Sequence, residues 1–266
     1  MNNGGVTRPA PLVSVIMPAY CGGAGIRRSV ASVQAQTVDD WELLVVDDCS
    51  PDDTYVQLHA LAEEDCRIRV FRTPVNSGPA AARNIALDNA AGRYAAFLDS
   101  DDIWLSEKLE RQIGFMREKN AAFSCTAYER VAEDGTVLGC VTPFEKADYR
   151  KVLFYANPVG NSTAMIDREV LGELRAPMIR KRNDFALWLA VLKVTDYVYG
   201  MKDCLAQYTV RTGSVSSNKA DLLRYQWQLY RDVEKLDMGK TLLAFAGLVY
   251  TKIAHPTWHG AGRADP

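Results

Sequence analysis

Histidine is scarce in this chain, three residues in 266, and none of the six cysteines stands in a C-x-x-C pair. A Cys/His zinc site therefore has no ligand set to draw on. The cysteines, at positions 21, 49, 66, 125, 140 and 204, fall in or beside apolar runs. Reduced, core-filling thiols of a cytoplasmic protein look like this. A hairpin turning at Asp134-Gly135 would set Cys140 near Glu129 and Cys125 near Phe144, so no Cys125–Cys140 bridge is expected. No apolar run reaches the ~18 to 20 residues that span a bilayer, Leu242 to Ala254 being the nearest and too short. Residues 1–11 carry neither the basic start nor the apolar centre of a signal peptide, which points to a cytosolic or membrane-peripheral protein. The formal charge is only -2, from 31 basic and 33 acidic residues, so the chain has no global footprint for nucleic acid.

What is present is enough apolar material, 48% of the residues, to bury a full core. One stretch stands out: Phe97-Leu98-Asp99-Ser100-Asp101-Asp102 puts three carboxylates into four positions at the end of an apolar run. Like charges held together invite a divalent cation bridging to phosphate. A solvated turn or a helix N-cap is the plainer alternative.

Periodicity frames that stretch. Apolar runs at Leu12 to Met17, Trp41 to Val46, Ile68 to Phe71 and Tyr94 to Leu98 predict strands, and helical spacing predicts helices over Ile26 to Gln36, Thr54 to Glu64 and Pro79 to Ala91. The alternation implies βαβ units and a mainly parallel sheet with helices on both faces. Beyond Asp102 the pattern changes: a helix over Leu105 to Glu118, a hairpin of Phe123 to Tyr128 with Val137 to Val141, a strand over Ser162 to Ile166, a helix over Phe185 to Val194 and a strand over Cys204 to Val210. The tail from Lys219 to Ala254 reads as two helices separated near Asp237 to Gly239.

Ligands gather at the carboxyl ends of parallel strands. Those ends carry Pro18-Ala19-Tyr20, Asp47-Asp48, Thr73 with Asn76-Ser77-Gly78, and the acidic stretch. Tyr20 could stack a base, Asp47 or Asp48 could accept from it, and the last cluster could hold metal on phosphates. Gly22-Gly23-Ala24-Gly25 fits neither a dinucleotide fingerprint nor a P-loop and reads as a turn into a helix.

Taken in order, Val13 to Tyr20, Ser32 to Thr37, Trp41 to Ser50, Asn76-Ser77-Gly78, Ala82-Arg83-Asn84, Ala91 to Tyr94 and the acidic cluster closely resemble the inverting family 2 glycosyltransferases that build bacterial surface polysaccharides. The resemblance implies an α/β GT-A fold, the nucleotide-diphospho-sugar transferase architecture, with a mixed acceptor-side region and C-terminal helices. Residues 1–104 would form the nucleotide-sugar half, 105–218 the acceptor and catalytic half of the same domain, and 219–266 a helical extension. It implies a UDP-sugar donor bound by Pro18, Ala19, Tyr20, Asp48, Asn76, Arg83, Asp99, Ser100, Asp101 and Arg211, with Mn²⁺ or Mg²⁺ held by Asp101 and Asp99. Asp102 would support the cluster or cap a helix. Asp184, in Arg182-Asn183-Asp184-Phe185, becomes the expected catalytic base, and Asn161, Ser162 and Trp188 fall on the acceptor side. The family carries an acid where Asn183 stands, and Asn where Cys21 stands.

The chemistry needs such a set: a cation for the leaving diphosphate and a carboxylate to take the proton of an acceptor hydroxyl. Gln207 to Lys219 resembles the family's donor-covering loop, whose Arg211 and Lys219 could neutralise diphosphate. The expected acceptor is a saccharide or lipid-linked saccharide of capsule, exopolysaccharide or lipopolysaccharide. Basic residues at Lys146, Arg150, Lys151 and 180–182, with the apolar tail helix, suggest peripheral contact with the anionic inner leaflet, and a homodimer stays open. Two other readings remain at this point. A sugar-nucleotidyltransferase would need a Gly- and Arg-rich loop ending in Pro-Lys after the first strand, and a non-catalytic binding homologue would lack the base.

Overall fold

Alternation of apolar side chains along the first strands fills both faces of one sheet. In the computed structural model, which describes residues 10–254 apart from 24, 156, 158 and 211–218, strand β1 (Val13–Ala19) lies between β2 (Trp41–Asp47) and β4 (Tyr94–Phe97), with β3 (Ile68–Arg72) outside β2, all parallel. Val13, Val15 and Met17 of β1, with Leu43 and Val45 of β2, pack on Ile26 and Val30 of helix α1 (Gly25–Gln34) and Leu58 of α2 (Thr54–Glu64). Ile16, Leu44, Val46 and Phe97 face the other way, onto Ala82 and Ala86 of α3 (Pro79–Asp88). The two-residue period of a strand sorts one continuous apolar run into two cores.

The sheet continues past β4 as a mixed sheet, with both antiparallel and parallel neighbours. β5 (Ile103–Trp104) and α4 (Lys108–Lys119) follow β4 in the chain, then the hairpin of β6 (Phe123–Ala132) and β7 (Val137–Val141), and β8 (Lys146–Ala147). After α5 (Tyr149–Phe154) and a 3-10 turn at Asn161–Thr163 come β9 (Met165–Asp167), α6 (Arg168–Leu171), α7 (Asn183–Val191) and β10 (Val198–Val210). Among the described residues the strand order is β3-β2-β1-β4-β9-β6-β10-β5, with β7 on β6 and β8 on β10. Helix α8 (Lys219–Gln228), a π-helical turn at Leu229–Val233 and α9 (Met238–Ala254) close the described chain.

The four expected strands and three alternating helices of the first hundred residues are all present, with α3 ending at Asp88. The hairpin sets Glu129 opposite Cys140, and all six cysteines are free; the expectation that they fill the core is corrected, since only Cys125 is buried and Cys21, Cys66 and Cys140 are exposed. The expected strand over Ser162 to Ile166 is corrected: Asn161–Thr163 forms a 3-10 turn and only Met165–Asp167 is strand. Trp188, expected on the acceptor side, is a core residue with 0% exposure, edge-on to Phe97 at 4.9 Å and tilted against Phe123 at 5.4 Å. Helix α7 is apolar on nearly every side, so nothing in its residue pattern marks which face meets the sheet. Among the described residues no helix is long and apolar enough to cross a membrane.

Candidate active site

The carboxyl ends of β1, β2 and β4 bring the residues expected on the donor side to one edge. Pro18 and Ala19 finish β1 and are buried, whereas Tyr20 is 51% exposed, with Asn76 close enough to hydrogen-bond its hydroxyl. Cys21 takes the left-handed backbone, φ 49°, a conformation that suits the Asn found there in the family. Asp47 is fully buried and pairs with Arg72 at 3.1 Å. Asp48 accepts from the Thr73 hydroxyl at 2.8 Å and from the Ser77 and Gly78 amides at 2.8 and 2.7 Å. The Asp48 carboxylate thus shapes the loop before α3, where Gly78 at φ 88° lets the chain turn into the helix.

The acidic stretch forms a tight turn in which the Asp102 amide donates to the Asp99 carbonyl at 3.1 Å. Asp99 accepts from the Asn161 side-chain amide at 2.7 Å and faces Arg83 at 3.5 Å, while its own amide donates to the Ser162 hydroxyl at 3.0 Å. Arg83, itself only 3% exposed, also donates to the Asn183 side-chain carbonyl. Burial lifts the Asp99 carboxyl above the ordinary carboxylate range; the Arg83 charge opposes this, and Asp101 and Asp184 add to it. Asp102 is completely enclosed, accepting from the Ser162 hydroxyl and, at 3.1 Å, from the Thr209 amide. Burial first, then the Asp99 and Asp101 charges, push its carboxyl well above the usual range. Asp102 caps no helix: it ties the turn to the end of β10. The Thr209 hydroxyl completes the tie by donating to the Asp101 carbonyl at 2.6 Å.

A cavity of about 490 Å³ opens beside this turn, and Asp99, Asn161, Ser162, Arg182, Asp184 and Tyr208 are on its wall. Asp184 lies in the first turn of α7, whose Arg182 cap has φ 63°. Seven enclosed side-chain polar atoms among the described residues have no hydrogen-bond partner in the protein: Asn161 Oδ1, Arg182 Nε, Gln226 Nε2, Arg83 Nε, Trp41 Nε1, Trp188 Nε1 and Glu234 Oε1. Buried polar groups are normally satisfied, and the first three belong to residues of the cavity wall, as expected where a polar ligand would complete the set. Asn161 and Ser162, expected on the acceptor side, bond the acidic turn and also lie on the wall of the cavity that Asp184 lines. Tyr208 belongs to the Gln207 to Lys219 segment that resembles the family's donor-covering loop, whereas no motif signals Gln226 and Tyr230 as wall residues. Ser100 sits partly exposed in the turn. Arg211 lies outside the described residues, as does the side chain of Lys219.

Among the described residues no three His, Cys, Asp or Glu side chains gather into a cage for a metal ion. Two carboxylates two positions apart on one turn still fit a hard cation that draws its other ligands from substrate phosphates and water.

The sheet order and the carboxylates at its strand ends match the architecture expected of a nucleotide-sugar transferase, and comparison with known proteins identifies the class. The family model described as Glycosyl transferase family 2 matches residues 14–175, and the chain belongs to that family. It is similar to TuaG of Bacillus subtilis, a glycosyltransferase assigned to teichuronic acid biosynthesis, with 44% identity over 241 residues, 90% of this chain and 95% of that one. A second relative, WfgD of Escherichia coli, named UDP-Glc:alpha-D-GlcNAc-diphosphoundecaprenol beta-1,3-glucosyltransferase, is 39% identical over 224 residues, 83% of this chain and 86% of the other. Among solved structures, S. aureus TarS 1–349 in complex with UDP-GlcNAc superposes with a TM-score of 0.69 at 20% identity, covering 94% of this chain and 79% of that one. The mannosyltransferase PcManGT of Pyrobaculum calidifontis, in complex with GDP-Man and Mn²⁺, gives 0.64 at 18% identity, covering 95% and 73%. The fold is GT-A and the protein is a family 2 glycosyltransferase.

Proposed function

We propose that this enzyme transfers a sugar, with inversion, from a UDP-sugar to a hydroxyl of a lipid-diphosphate-linked saccharide. The observation that carries the reading is that Asp99 of the acidic turn and Asp184 of α7 line the same cavity. One carboxylate belongs to the donor side and the other is free to serve the acceptor. The activity for which WfgD is named, UDP-Glc transfer onto a diphosphoundecaprenol-linked sugar, supports the same donor and acceptor classes.

Pro18 to Tyr20, Asp48 and Asn76 would hold the nucleoside, Tyr20 by stacking its exposed ring on the base. Asp99, Ser100, Arg83 and Arg211 would meet the diphosphate and sugar, and Asp99 with Asp101 would hold Mn²⁺ or Mg²⁺. When bound, that cation supplies Lewis-acid stabilisation of the charge that develops on the leaving UDP. The acceptor hydroxyl attacks the anomeric carbon from the face opposite UDP as Asp184 takes its proton. The new C–O bond forms, the bond to the UDP oxygen breaks with its electron pair on phosphate, and a single displacement inverts the centre. Arg83, locked between Asn183 and Asp99, keeps a fixed positive charge beside the donor. Action at the cytoplasmic membrane face, where such an acceptor would lie, follows from the acceptor class.

Calorimetric titration with UDP, with Mn²⁺ and then with EDTA, tests the donor half. Binding that disappears with EDTA and in Asp101→Ala supports it; metal-independent binding, or none, removes Asp101 from its role. Radiolabelled UDP-sugars offered with a bacterial lipid extract test the acceptor half by label passing into the organic phase.

A further inference from the structure

A second cavity, of about 1120 Å³, lies between α5 and α9 and is unlike the first. Its floor is apolar, with Phe144, Phe154 and Leu243, and its rim carries Lys146, Arg150, Lys151 and Lys240. The one acidic wall residue, Asp148, spends its carboxylate on capping α5, accepting from the Lys151 amide at 2.7 Å. Among the described residues no carboxylate pairs with Lys146, Arg150 or Lys151, whereas Lys240 pairs with Asp237 at 3.0 Å; the Lys151 ammonium donates to the Lys146 carbonyl at 3.4 Å. Lys146 instead sits 3.5 Å over the Tyr197 ring and Lys151 sits 4.0 Å over Phe144. Aromatic faces leave a cation its full charge while taking it partly out of water. An apolar trough edged by such cations is complementary to an anionic head carrying a hydrocarbon chain.

The groove lies against the catalytic cavity, and Leu153 and Tyr155 line both. Two hydrogen bonds pin the backbone of this shared wall: Tyr230 donates to the Leu153 carbonyl at 3.3 Å and Thr251 to the Tyr155 carbonyl at 2.7 Å, and Tyr155 itself is 51% exposed. A ligand whose sugar reached Asp184 would emerge past Tyr155 with its next group at the basic rim. In a lipid-linked saccharide that next group is the diphosphate, and the group after it is the polyprenyl chain.

We infer that the α5–α9 groove is the seat of the acceptor's polyprenyl diphosphate, with Arg150 and Lys151 on the phosphates and Leu243 on the chain. This rests on the lipid-linked acceptor proposed above. Neither phosphate nor chain alone suffices, because one weak signal gives marginal binding and two together give a stable seat.

The test is equilibrium binding of farnesyl diphosphate to the full chain saturated with UDP and Mn²⁺, so that the donor site is filled. Wild type should bind it at least tenfold more tightly than inorganic pyrophosphate or farnesol. Arg150→Glu with Lys151→Glu, and separately the exposed Leu243→Asp, should each weaken it at least tenfold with UDP affinity unchanged. No binding by wild type, unchanged binding by both variants, or equal affinity for pyrophosphate would overturn the assignment. So would attachment to phosphatidylglycerol vesicles, lost in the same variants, without farnesyl diphosphate binding, since the groove would then serve the bulk bilayer. Failure of the acceptor reading looks different: no label from any UDP-sugar enters the lipid extract while farnesyl diphosphate binding persists. Failure of the groove alone leaves lipid labelling intact in both variants.

Discussion

Asn161 donates to the Asp99 carboxylate at 2.7 Å across 62 residues of sequence, and this bond fixes the first acid of the acidic turn. The 3-10 turn that carries Asn161 also supplies Ser162 to Asp102 and to the Asp99 amide. A charge-assisted bond of this kind contributes about 1.5–3 kcal/mol. Asn161→Ala should weaken metal-dependent UDP binding by roughly tenfold or more while leaving the thermal midpoint within a few degrees, as calorimetry and a melting curve would read.

Asp184 should separate binding from chemistry. Asp184→Asn keeps the shape and removes the basicity, so kcat should fall by about 10²–10⁴ while the Kd for UDP stays within about twofold. An equal loss in both quantities would make Asp184 a donor ligand and remove it from proton transfer.

Much of the family resemblance proves to be framework. Ser14 donates to Glu42 at 2.7 Å, and Glu42 also accepts from the Ala91 amide at 2.7 Å and pairs with Arg69 at 2.9 Å. A Cβ at Gly92 would come within 2.6 Å of the Ser14 amide nitrogen, so only glycine fits there. Gln36 joins α1 to α4 through the Leu105 carbonyl and the Leu109 amide. These residues carry the pattern without touching the cavity. The parallel half was legible because strand period and helix period differ, and its strand ends fell at one edge by the geometry of a parallel sheet. The second half was less so: α5 and β8 are too short to show a period, and the Asn161–Asp99 contact is one of tertiary structure. Asn183 is a further case. Where the family has an acid, this chain has an amide, and the nearest carboxylate facing Arg83 is then Asp99.

Two glycines should respond to alanine with opposite signs. In α9 a Cβ on Gly247 would lie 1.7 Å from the Phe154 carbonyl oxygen, a backbone atom that cannot step aside without moving α5. Gly247→Ala should cost about 1–3 kcal/mol and lower the melting midpoint by several degrees. Gly114, exposed within α4, is different: a Cβ added there would meet nothing within 4 Å. Gly114→Ala should raise stability by about 0.5–1 kcal/mol through helix propensity. Equal responses at the two positions would refute the tight α5–α9 packing.

Lys108 gives a pH dependence with a definite sign. It is fully buried, donates to Gln112 at 2.8 Å and lies 4.0 Å over Trp104. Burial lowers its ammonium from 10.5 to about 7. Between pH 7 and 10.5 the unfolded chain therefore holds a proton that the folded chain has released, and stability contributed by this group rises with pH across that window. Below pH 7 both states are protonated and the cost of enclosing the charge is constant. Lys108→Met removes the titration but leaves Gln112 Oε1 without its donor, a fixed penalty that does not vary with pH. The difference in unfolding free energy, wild type minus variant, should therefore climb by about 2 kcal/mol from pH 7 to pH 9 in urea melts. The absolute offset reports the Gln112 bond and the slope reports the ammonium. A flat difference would mean that Lys108 stays charged in the folded protein, held by the Trp104 ring more strongly than burial opposes it.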